Sequence, residues 1–479
     1  MTAPLDALTA ARGDELLALR DALAAAGYTE AAVAWLDSLA PRHLRAARVP
    51  LLRWALRSSP EAWAACARLF LCDDAVSEEA VAQALGEDAP PSLRSLGVVQ
   101  DTPDGLRARF RITPFHELLV VSDPEWSLGP GPNAHAPCPD VRTAQLAAVI
   151  DVAGGGEVLD FRCGTGALAL LAAKRGARAT GVDGSPRAVQ LACINARLND
   201  LDRACELLDG GLAAVRGRSF DRIVAGPRAT PGASREQPID DATLDLLAAL
   251  PDLLAPNGRA LLRVDVPDTR GASLPDRVRD ALGDARASVL VLAAPGPSAD
   301  DVAIERAAAV DPTLGDRYAR EVVAQRERLA AGSTLSALVQ IRSDPPAGPG
   351  WTVVTEASTL DRCTPRHLDR LTRGLDVASL PDEELLAAVV RLTGDARLVH
   401  STDLVGVHED ERLVFRRSPF AEQPVDREAD VLLAVFSQPT LVADAVTEYA
   451  EACEQPPSEV QEEVLVFVRT ALARGLLVP

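Results

Sequence analysis

The chain has 479 residues, a formal net charge of −20 and an apolar fraction of 47%. This length exceeds that of one compact core, so we expect roughly two to four domains of ordinary globular composition. The acidic charge argues against a nucleic-acid partner, because phosphate binding needs a positive surface. No window of about eighteen residues is both apolar and uncharged, and no basic stretch precedes an apolar run at the N-terminus. We therefore expect no membrane partner and no secretory signal.

The cysteines and histidines offer no metal site. The eight cysteines contain no C-x-x-C pair, and the six histidines are scattered along the chain, whereas metal sites need close, regular spacing. Reduced thiols in the cytoplasm are the simplest interpretation of the cysteines. The sequence thus predicts a cytoplasmic protein with no bound metal.

The N-terminal segment, residues 1–125, is predicted to be mostly helical. A short helix over 77–86 has a serine at its N-cap and a glycine at its end. A second helix over 92–97 leads to candidate strands at 98–100 and 106–112. Two helices followed by a hairpin are the pattern of a winged helix. Because acidic residues outnumber arginines here, a substrate lid or a dimerisation module is favoured over DNA binding.

The central segment is predicted to be a parallel, doubly wound sheet. From about residue 153 to residue 342, candidate strands alternate with helices. A loop rich in glycine and proline, 127–139, precedes this region, and a helical insert of about 299–331 separates its last two strands. We assign residues 126–345 to this domain. The candidate strands are 157–161, 178–183, 204–208, 221–225, 259–266, 287–293 and 335–342.

The C-terminal segment, residues 351–479, follows a boundary rich in proline and glycine at 343–350. Its end, 429–479, is predicted as helices followed by a short strand, a second winged-helix-like pattern. This segment is strongly acidic, so we expect it to bind a protein partner or a second copy of the chain rather than nucleic acid. The predicted fold is therefore α/β: a Rossmann-like, doubly wound sheet flanked by mostly helical, winged-helix-like terminal domains.

The most informative stretch is a strand, a turn and a helix. An apolar strand, 157–161, runs into a turn that contains Gly164 and Gly166, and an alanine- and leucine-rich helix follows. A second strand, 179–183, ends in Asp183. Open α/β sheets hold nucleosides in this way, since small residues let the backbone approach the ligand and the acid takes the ribose hydroxyls.

Four motifs in order make the central third of the chain resemble the class I S-adenosylmethionine-dependent methyltransferases. The first is Val-Leu-Asp-Phe-Arg-Cys-Gly-Thr-Gly at 158–166, the second ends at Asp183, the third holds Asp209, and the fourth is Phe-Asp-Arg-Ile-Val-Ala-Gly-Pro-Arg-Ala at 220–229. The likeness is greatest to their small-domain branch, in an actinobacterial form with additional terminal domains. It implies S-adenosylmethionine as the cofactor, with Asp183 on the ribose and Asp209 beside the adenine. The cofactor-binding residues that the resemblance implies are Asp160, Arg162, Gly164, Gly166, Asp183, Asp209 and Gly226.

The fourth motif departs from the family pattern Asn-Pro-Pro-aromatic. Gly226 replaces the asparagine, Arg228 the second proline and Ala229 the aromatic residue. The family loop presents an amide and a carbonyl to an amino group, and the ring stacks on its planar carrier. Without amide or ring, methylation of a nucleobase or of a glutamine amide loses its physical basis. The predicted acceptor is therefore a small polar metabolite, in keeping with a role in specialised metabolism.

Arg162 stands where the first motif has its first glycine. In the family this turn passes close to the sulfonium of the cofactor, and a second cation about 6 Å away costs on the order of 3 kcal/mol at an effective dielectric near ~20. Arg162 and Arg228 flank the same pocket, and arginine pairs bidentately with carboxylate, phosphate and sulfate. One hypothesis is therefore an anionic donor such as 3′-phosphoadenosine 5′-phosphosulfate. The protein would then be a sulfotransferase in which both arginines stabilise the transferring group.

Other interpretations stay open. The Arg162 side chain can point to solvent or hold the carboxylate of S-adenosylmethionine, which leaves methyl transfer intact. The fold can serve another group transfer or a cofactor-assisted cyclisation. It can also have lost its cofactor and act as a non-catalytic scaffold whose acidic terminal domains hold a protein partner.

Group transfer to an acceptor that must lose a proton needs a general base. His135 lies in the loop just before the central domain, where a substrate could enter, and is the candidate base. For His116 a structural role is favoured. Cys163, inside the turn, is small and semi-apolar, which indicates packing rather than a nucleophile. The catalytic candidates are thus Arg162, Arg228 and His135.

Overall fold

The computed structural model describes residues 4–39, 45–124, 136–152, 155–226, 239–267, 273–310, 315–329, 333–343, 350–402, 409–416, 418–425 and 427–479. The chain divides into two compact units. The first unit comprises residues 1–147, 152–240 and 297–332, and the second comprises 148–151, 241–296 and 333–479. The three domain boundaries expected from the sequence stay a prediction.

The N-terminal part of the first unit is mostly helical, as the sequence predicts. Helix α6 begins where the Ser77 hydroxyl accepts a hydrogen bond from the Ala80 N–H at 3.3 Å. It ends at Gly86, whose φ of +100° favours glycine. These two residues confirm the predicted start and end of this helix. The helices are α1 (Pro4–Ala10), α2 (Gly13–Ala25), α3 (Glu30–Leu39), α4 (Arg45–Arg57), α5 (Ala62–Leu71), α6 (Glu78–Leu85) and α7 (Ala89–Ser95).

Two antiparallel hairpins follow these helices. The single strand expected over 106–112 is wrong, because the chain bends at residues 109–110 and starts a second hairpin. At the first turn, Gly105 has a φ of +125°, and a Cβ there would collide with the carbonyl oxygen of Val76, so only glycine fits. The winged-helix assignment stays a prediction. The paired strands are β1 (Val99–Thr102) with β2 (Gly105–Ala108) and β3 (Arg111–Phe115) with β4 (Leu118–Ser122).

Four parallel strands form the centre of the first unit, in the order β8-β5-β6-β7. All residues of helix α9 before the final Lys174 are alanine or leucine, and each of them is buried. Because the strands are parallel, their carboxyl ends, where open α/β sheets bind ligands, lie along one edge. The predicted Rossmann-like α/β fold is confirmed. The elements are α8 (Val141–Val149), β5 (Glu157–Phe161), α9 (Ala167–Lys174), β6 (Arg178–Asp183), α10 (Pro186–Leu198), β7 (Cys205–Asp209), a 3₁₀ helix (Leu212–Val215) and β8 (Phe220–Ala225).

Helix α10 packs against the N-terminal part of the first unit. Its buried residues Ala188, Leu191, Ile194 and Leu198 recur at helical spacing and share one hydrophobic cluster with buried residues of the N-terminal helices and hairpins. The guanidinium of Arg197 donates to three carbonyl oxygens at the end of α1. One face of α10 therefore completes the core of the N-terminal part.

The second unit contains strands in the order β12-β10-β11-β9. Strands β10 and β12 are parallel, whereas β9 and β11 are antiparallel, so these strands form a mixed sheet. The strands expected at 259–266, 287–293 and 335–342 are confirmed, and the helical insert expected over about 299–331 consists of α13 and α14. The elements of the second unit are α11 (Asp241–Leu253), β9 (Leu254–Pro267), α12 (Leu274–Leu282), β10 (Ala287–Ser298), β11 (Ser333–Ser343) and β12 (Thr352–Glu356). The insert helices, α13 (Ala299–Val310) and α14 (Asp316–Leu329), belong to the first unit.

The C-terminal part of the second unit ends in helices and a short strand, as expected for 429–479. Strand β13 pairs antiparallel with both β17 and β18, and β14, β15 and β16 form a second small sheet. The elements are α15 (Pro365–Ala378), α16 (Asp382–Leu386), β13 (Val389–Leu392), β14 (Ala396–Thr402), β15 (Glu409–Phe415), β16 (Gln423–Pro424), α17 (Arg427–Val435), β17 (Thr440–Leu441), α18 (Val442–Ala452), α19 (Pro457–Ala473) and β18 (Leu477–Val478).

Candidate functional site

The glycine turn, residues 162–166, joins β5 to α9. Arg162, Gly164 and Gly166 have φ values of +61°, +57° and +80°. A Cβ at Gly166 would lie 3.0 Å from the Cβ of Ala192 on α10, so glycine allows the turn to approach this helix. The chain thus reverses tightly at the carboxyl end of β5, where a nucleoside site is expected.

Asp183, at the end of β6, holds the glycine turn. Its Oδ2 accepts a hydrogen bond from the Gly164 N–H at 2.8 Å, and its Oδ1 accepts one from the Ser185 N–H at 2.9 Å. Each carboxylate oxygen has a second lone pair that stays available to a hydroxyl donor. Asp209 lies directly opposite Asp183 in the β6–β7 register and is exposed. Two carboxylates therefore stand side by side at the ends of neighbouring strands.

Asp160, within β5, is buried and accepts a hydrogen bond from the Ala169 N–H at 3.0 Å. Burial raises the pKa of Asp160 to about 7, and the charge of Asp183 adds to this, while the Ala169 N–H lowers it. The Asp160 carboxyl group therefore titrates close to neutral pH.

Arg162 forms an ion pair with Asp240, whose Oδ2 lies 2.6 Å from the arginine Nη1. The Arg162 side chain is 29% exposed and that of Asp240 is 14% exposed. Asp240 lies immediately before helix α11, beyond the fourth motif. The charge that the sequence places in the glycine turn is thus balanced by a carboxylate from another loop.

A pocket opens beside the glycine turn, and its lining includes a second arginine, Arg142. Arg142 pairs with Asp140 at 2.6 Å. Burial acts to raise the pKa of Asp140, but Arg142 and the hydrogen bonds from Thr143 outweigh it, so this pKa lies below its usual value. The lining consists of Pro137, Cys138, Pro139, Asp140, Arg142, Thr143, Asp160, Arg162, Cys163, Gly164, Thr165, Ala167, Leu168 and Gly226.

The structure brings part of the predicted site together. Asp160, Arg162, Gly164 and Gly226 line the pocket, whereas Gly166, Asp183 and Asp209 lie at the same strand ends outside its lining. At Gly226, a Cβ would approach Leu146 Cδ1 to 3.3 Å. The candidate catalytic residues His135 and Arg228 lie outside the described residues, and the roles of all these residues stay predictions.

Sequence reasoning missed Asp240, Asp140 and Arg142. Asp140 immediately precedes α8 and Arg142 is the second residue of that helix. An Asp-x-Arg-Thr sequence at a helix start is a local N-cap signal that could have found them. Asp240 offers no local signal, because its partner is 78 residues away.

Cys163 lies in the turn with a buried thiol. Burial is the first cause that raises the pKa of Cys163, and the nearby carboxylates Asp160 and Asp183 add to it. A thiol with a raised pKa is a poor nucleophile at neutral pH, which supports the packing interpretation.

The described residues provide neither a metal cluster nor a membrane-spanning helix. They contain no group of three or more His, Cys, Asp or Glu side chains placed to hold a metal ion. Among these same residues, no helix combines the length and apolar character that crossing a membrane requires.

The parallel strands, the glycine turn and Asp183 define a Rossmann-like nucleoside-binding domain. Residues 136–269 match the family model of the methyltransferase small domain. The matched region contains all four motifs on which the resemblance to the class I S-adenosylmethionine-dependent methyltransferases depends.

Similar curated proteins match only part of this chain. A release factor glutamine methyltransferase of Rhodospirillum rubrum is 38% identical over 111 residues, which are 22% of this chain and 34% of the relative. A ribosomal protein L11 methyltransferase of Laribacter hongkongensis is 34% identical over 140 residues, 28% of this chain and 44% of the relative. The chain thus spans less than half the length of these relatives.

Solved structures show a weaker likeness. The [4+2]-cyclase SpnF is 21% identical with a TM-score of 0.31, covering 42% of this chain and 80% of that one. The geranyl diphosphate C-methyltransferase of Streptomyces coelicolor is 12% identical with a TM-score of 0.31, covering 42% and 75%.

Proposed function

We propose that the first unit binds S-adenosylmethionine and transfers its methyl group to a small polar metabolite. The observation that carries this proposal is the contact of Asp183 with Gly164: a carboxylate at the end of β6 holds the glycine turn while keeping lone pairs for a ribose diol. Asp209 stands beside it at the end of β7, where the family resemblance places the adenine.

The charges of the described pocket support a cationic cofactor. Arg162 is paired with Asp240 and Arg142 with Asp140, each at 2.6 Å. Neither pair adds a net charge to the pocket, and the lining also contains Asp160, which is ionised in part near neutral pH. A sulfonium therefore meets no net repulsion from these groups. By the same reasoning, a phosphosulfate donor gains little from them.

The cofactor, when bound, supplies an electrophilic methyl group. The chain's own residues supply position: Asp183 and Asp209 orient the nucleoside, and the glycine turn brings backbone rather than side chains against it. Methyl transfer depends mainly on such alignment of donor and acceptor. His135 remains the proposed base for an acceptor that must lose a proton.

A small polar acceptor is supported by the fourth motif. Gly226 offers neither an amide nor a ring beside the pocket. The names of the relatives specify a release factor glutamine and ribosomal protein L11. Neither is proposed as the acceptor of this chain, because Gly226 lacks the side chain that would select a planar amide.

Calorimetric titration of the full chain with three ligands tests the proposal. S-adenosylmethionine and S-adenosylhomocysteine are expected to bind, and 3′-phosphoadenosine 5′-phosphosulfate is not. Arg162→Gly is expected not to weaken S-adenosylmethionine binding, because the variant removes a cation and leaves the Asp240 carboxylate in place. Selective binding of the phosphosulfate, lost in Arg162→Gly, would replace this proposal with sulfonation. Silence from all three ligands would contradict any cofactor role and favour a scaffold that holds a partner through its acidic terminal parts.

A further inference from the structure

We infer that Asn195 on helix α10 is a positioning residue for the glycine turn and that it couples this turn to strand β4. This inference rests on the proposed function, because the turn is where the cofactor is proposed to bind. No residue of β4, which is described throughout, lines the pocket.

The Asn195 side chain is fully buried, and each of its hydrogen-bonding groups is occupied. Its Oδ1 accepts from the Val121 N–H at 2.7 Å. Its Nδ2 donates to the carbonyl oxygens of Val121 and Thr165, both at 3.0 Å. An amide with two donated bonds and one accepted bond has a single orientation, so Asn195 is a rigid link between its two neighbours.

On one side of this link is the glycine turn. Thr165 lies between Gly164, whose N–H is bound by Asp183, and Gly166, which packs on Ala192 of α10. The bond from Asn195 to the Thr165 carbonyl oxygen is therefore one of several contacts that hold the turn against β6 and α10. Without this hydrogen bond, the peptide that precedes α9 is free to move, and the backbone that faces the nucleoside is displaced.

On the other side is the edge of β4. One edge of β4 pairs with β3, and the side chains of Asn195 and of Asn199, the C-cap of α10, bind the other edge. Asn199 accepts from the Leu119 N–H at 3.0 Å and donates to the Leu119 carbonyl oxygen at 2.8 Å. Four residues separate Asn195 from Asn199, a rise of about 6 Å along a helix. The two residues of β4 that they bind are two positions apart, about 6.7 Å along a strand, so the two spacings match.

Asn199 provides a matched control for Asn195. Asn195 lies within α10 and Asn199 is its C-cap. Both side chains are buried, and each binds one residue of β4 through its N–H and its carbonyl oxygen. The third bond differs: Asn199 donates to the Asn195 carbonyl oxygen within its own helix at 2.8 Å. Only Asn195 reaches the turn.

Binding of S-adenosylhomocysteine by the full chain, measured by calorimetry, distinguishes these roles. Asn195→Ala and Asn199→Ala are both expected to lower the melting temperature, because each leaves buried backbone groups of β4 unpaired. Only Asn195→Ala is expected to weaken binding, by about tenfold or more, while Asn199→Ala stays within about twofold. An unchanged Kd in Asn195→Ala, or equal losses in both variants, contradicts the inference. Failure of the wild type to bind contradicts the proposed function itself.

Hydrogen exchange of the wild type tests the coupling without any variant. If Asn195 links the turn to β4, S-adenosylhomocysteine is expected to slow amide exchange in residues 162–168 and also in residues 118–122, although β4 lies outside the pocket lining. Protection confined to residues 162–168 would overturn the coupling while leaving cofactor binding in place.

Discussion

Nη1 of Arg162 lies 2.6 Å from Oδ2 of Asp240. This contact changes how Arg162, the residue that departs from the first motif, is interpreted. Judged from the sequence alone, an arginine in the glycine turn opposes a sulfonium cofactor. Since Asp240 neutralises the arginine, Arg162 no longer argues for an anionic donor, and methyl transfer stays the function that the site supports best.

The backbone at Arg162 is predicted to be strained, because its φ of +61° is left-handed and favours glycine. Arg162→Gly and Arg162→Ala both remove the ion pair with Asp240, but only glycine relieves the strain. We expect Arg162→Gly to be more stable than Arg162→Ala by about 1 kcal/mol. Urea unfolding of the two variants measures this difference, and equal stabilities would contradict the left-handed conformation.

Asp183 and Asp209 are predicted to contribute unequally to cofactor binding. Asp183 accepts two backbone N–H groups and faces the proposed ribose, whereas Asp209 is exposed. Asp183→Ala is expected to weaken S-adenosylhomocysteine binding by about a hundredfold and Asp209→Ala by about fivefold or less. Calorimetry gives both values, with circular dichroism as the control for folding. A larger loss in Asp209→Ala would reverse the assignment.

Asp160 is predicted to make folding depend on pH. Burial raises the pKa of Asp160 to about 7 in the folded chain, whereas an aspartate in the unfolded chain titrates near ~3.9. Between these values the folded chain keeps a proton that the unfolded chain has lost. The contribution of Asp160 to the free energy of unfolding is therefore fully present below about pH 4 and falls by up to about 4 kcal/mol as pH rises through 7.

The matching variant is Asp160→Asn, which does not titrate and keeps an oxygen for the Ala169 N–H. We expect the wild type to lose stability relative to this variant between about pH 4 and pH 7. Urea unfolding of both proteins at about pH 5 and pH 8 measures the change. A difference that is the same at both values would show that Asp160 ionises normally.

The ion pair of Arg187 with Asp123 is predicted to matter more for stability than that of Arg178 with Glu157. Arg187 binds Asp123 through two bonds of 2.8 and 2.5 Å, and the Asp123 side chain is 2% exposed. Arg178 lies 2.8 Å from Glu157, but its side chain is 82% exposed.

Removing Arg187 leaves a buried carboxylate without its cation, whereas removing Arg178 leaves a hydrated one. Arg187→Ala is expected to cost about 2–3 kcal/mol in the free energy of unfolding, and Arg178→Ala less than about 1 kcal/mol. Chemical denaturation measures both. Similar small losses would mean that water reaches Asp123 when the arginine is absent.

Local patterns predicted the elements around the site well. The strands expected at 157–161 and 178–183 have the same bounds in the structure, because the first apolar run leads into the glycine turn and the second ends in a carboxylate. The strand expected over 106–112 failed, because apolar and β-forming residues continue across the bend at 109–110 and hide it from a local reading.

The candidate site was predictable in part for the same reason. Asp160, Gly164 and Gly226 belong to local motifs, and the structure places them in the pocket lining. Asp240 was not identified. Asn195 belongs to a helix that resembles the family in sequence, but no neighbouring pattern indicates what its side chain binds. His135 and Arg228 lie outside the described residues, and their roles stay predictions.

The sequence by itself determined that a strand, a glycine turn and a carboxylate would form a nucleoside site, because these features depend on residues close together in the chain. Only the tertiary structure decided the charge of that site and what holds it. Asp240 is 78 residues from Arg162, and Asn195 is 74 from Val121. Charge compensation and buried hydrogen bonds depend on distances of a few ångströms, and for residues so far apart along the chain those distances are set by folding.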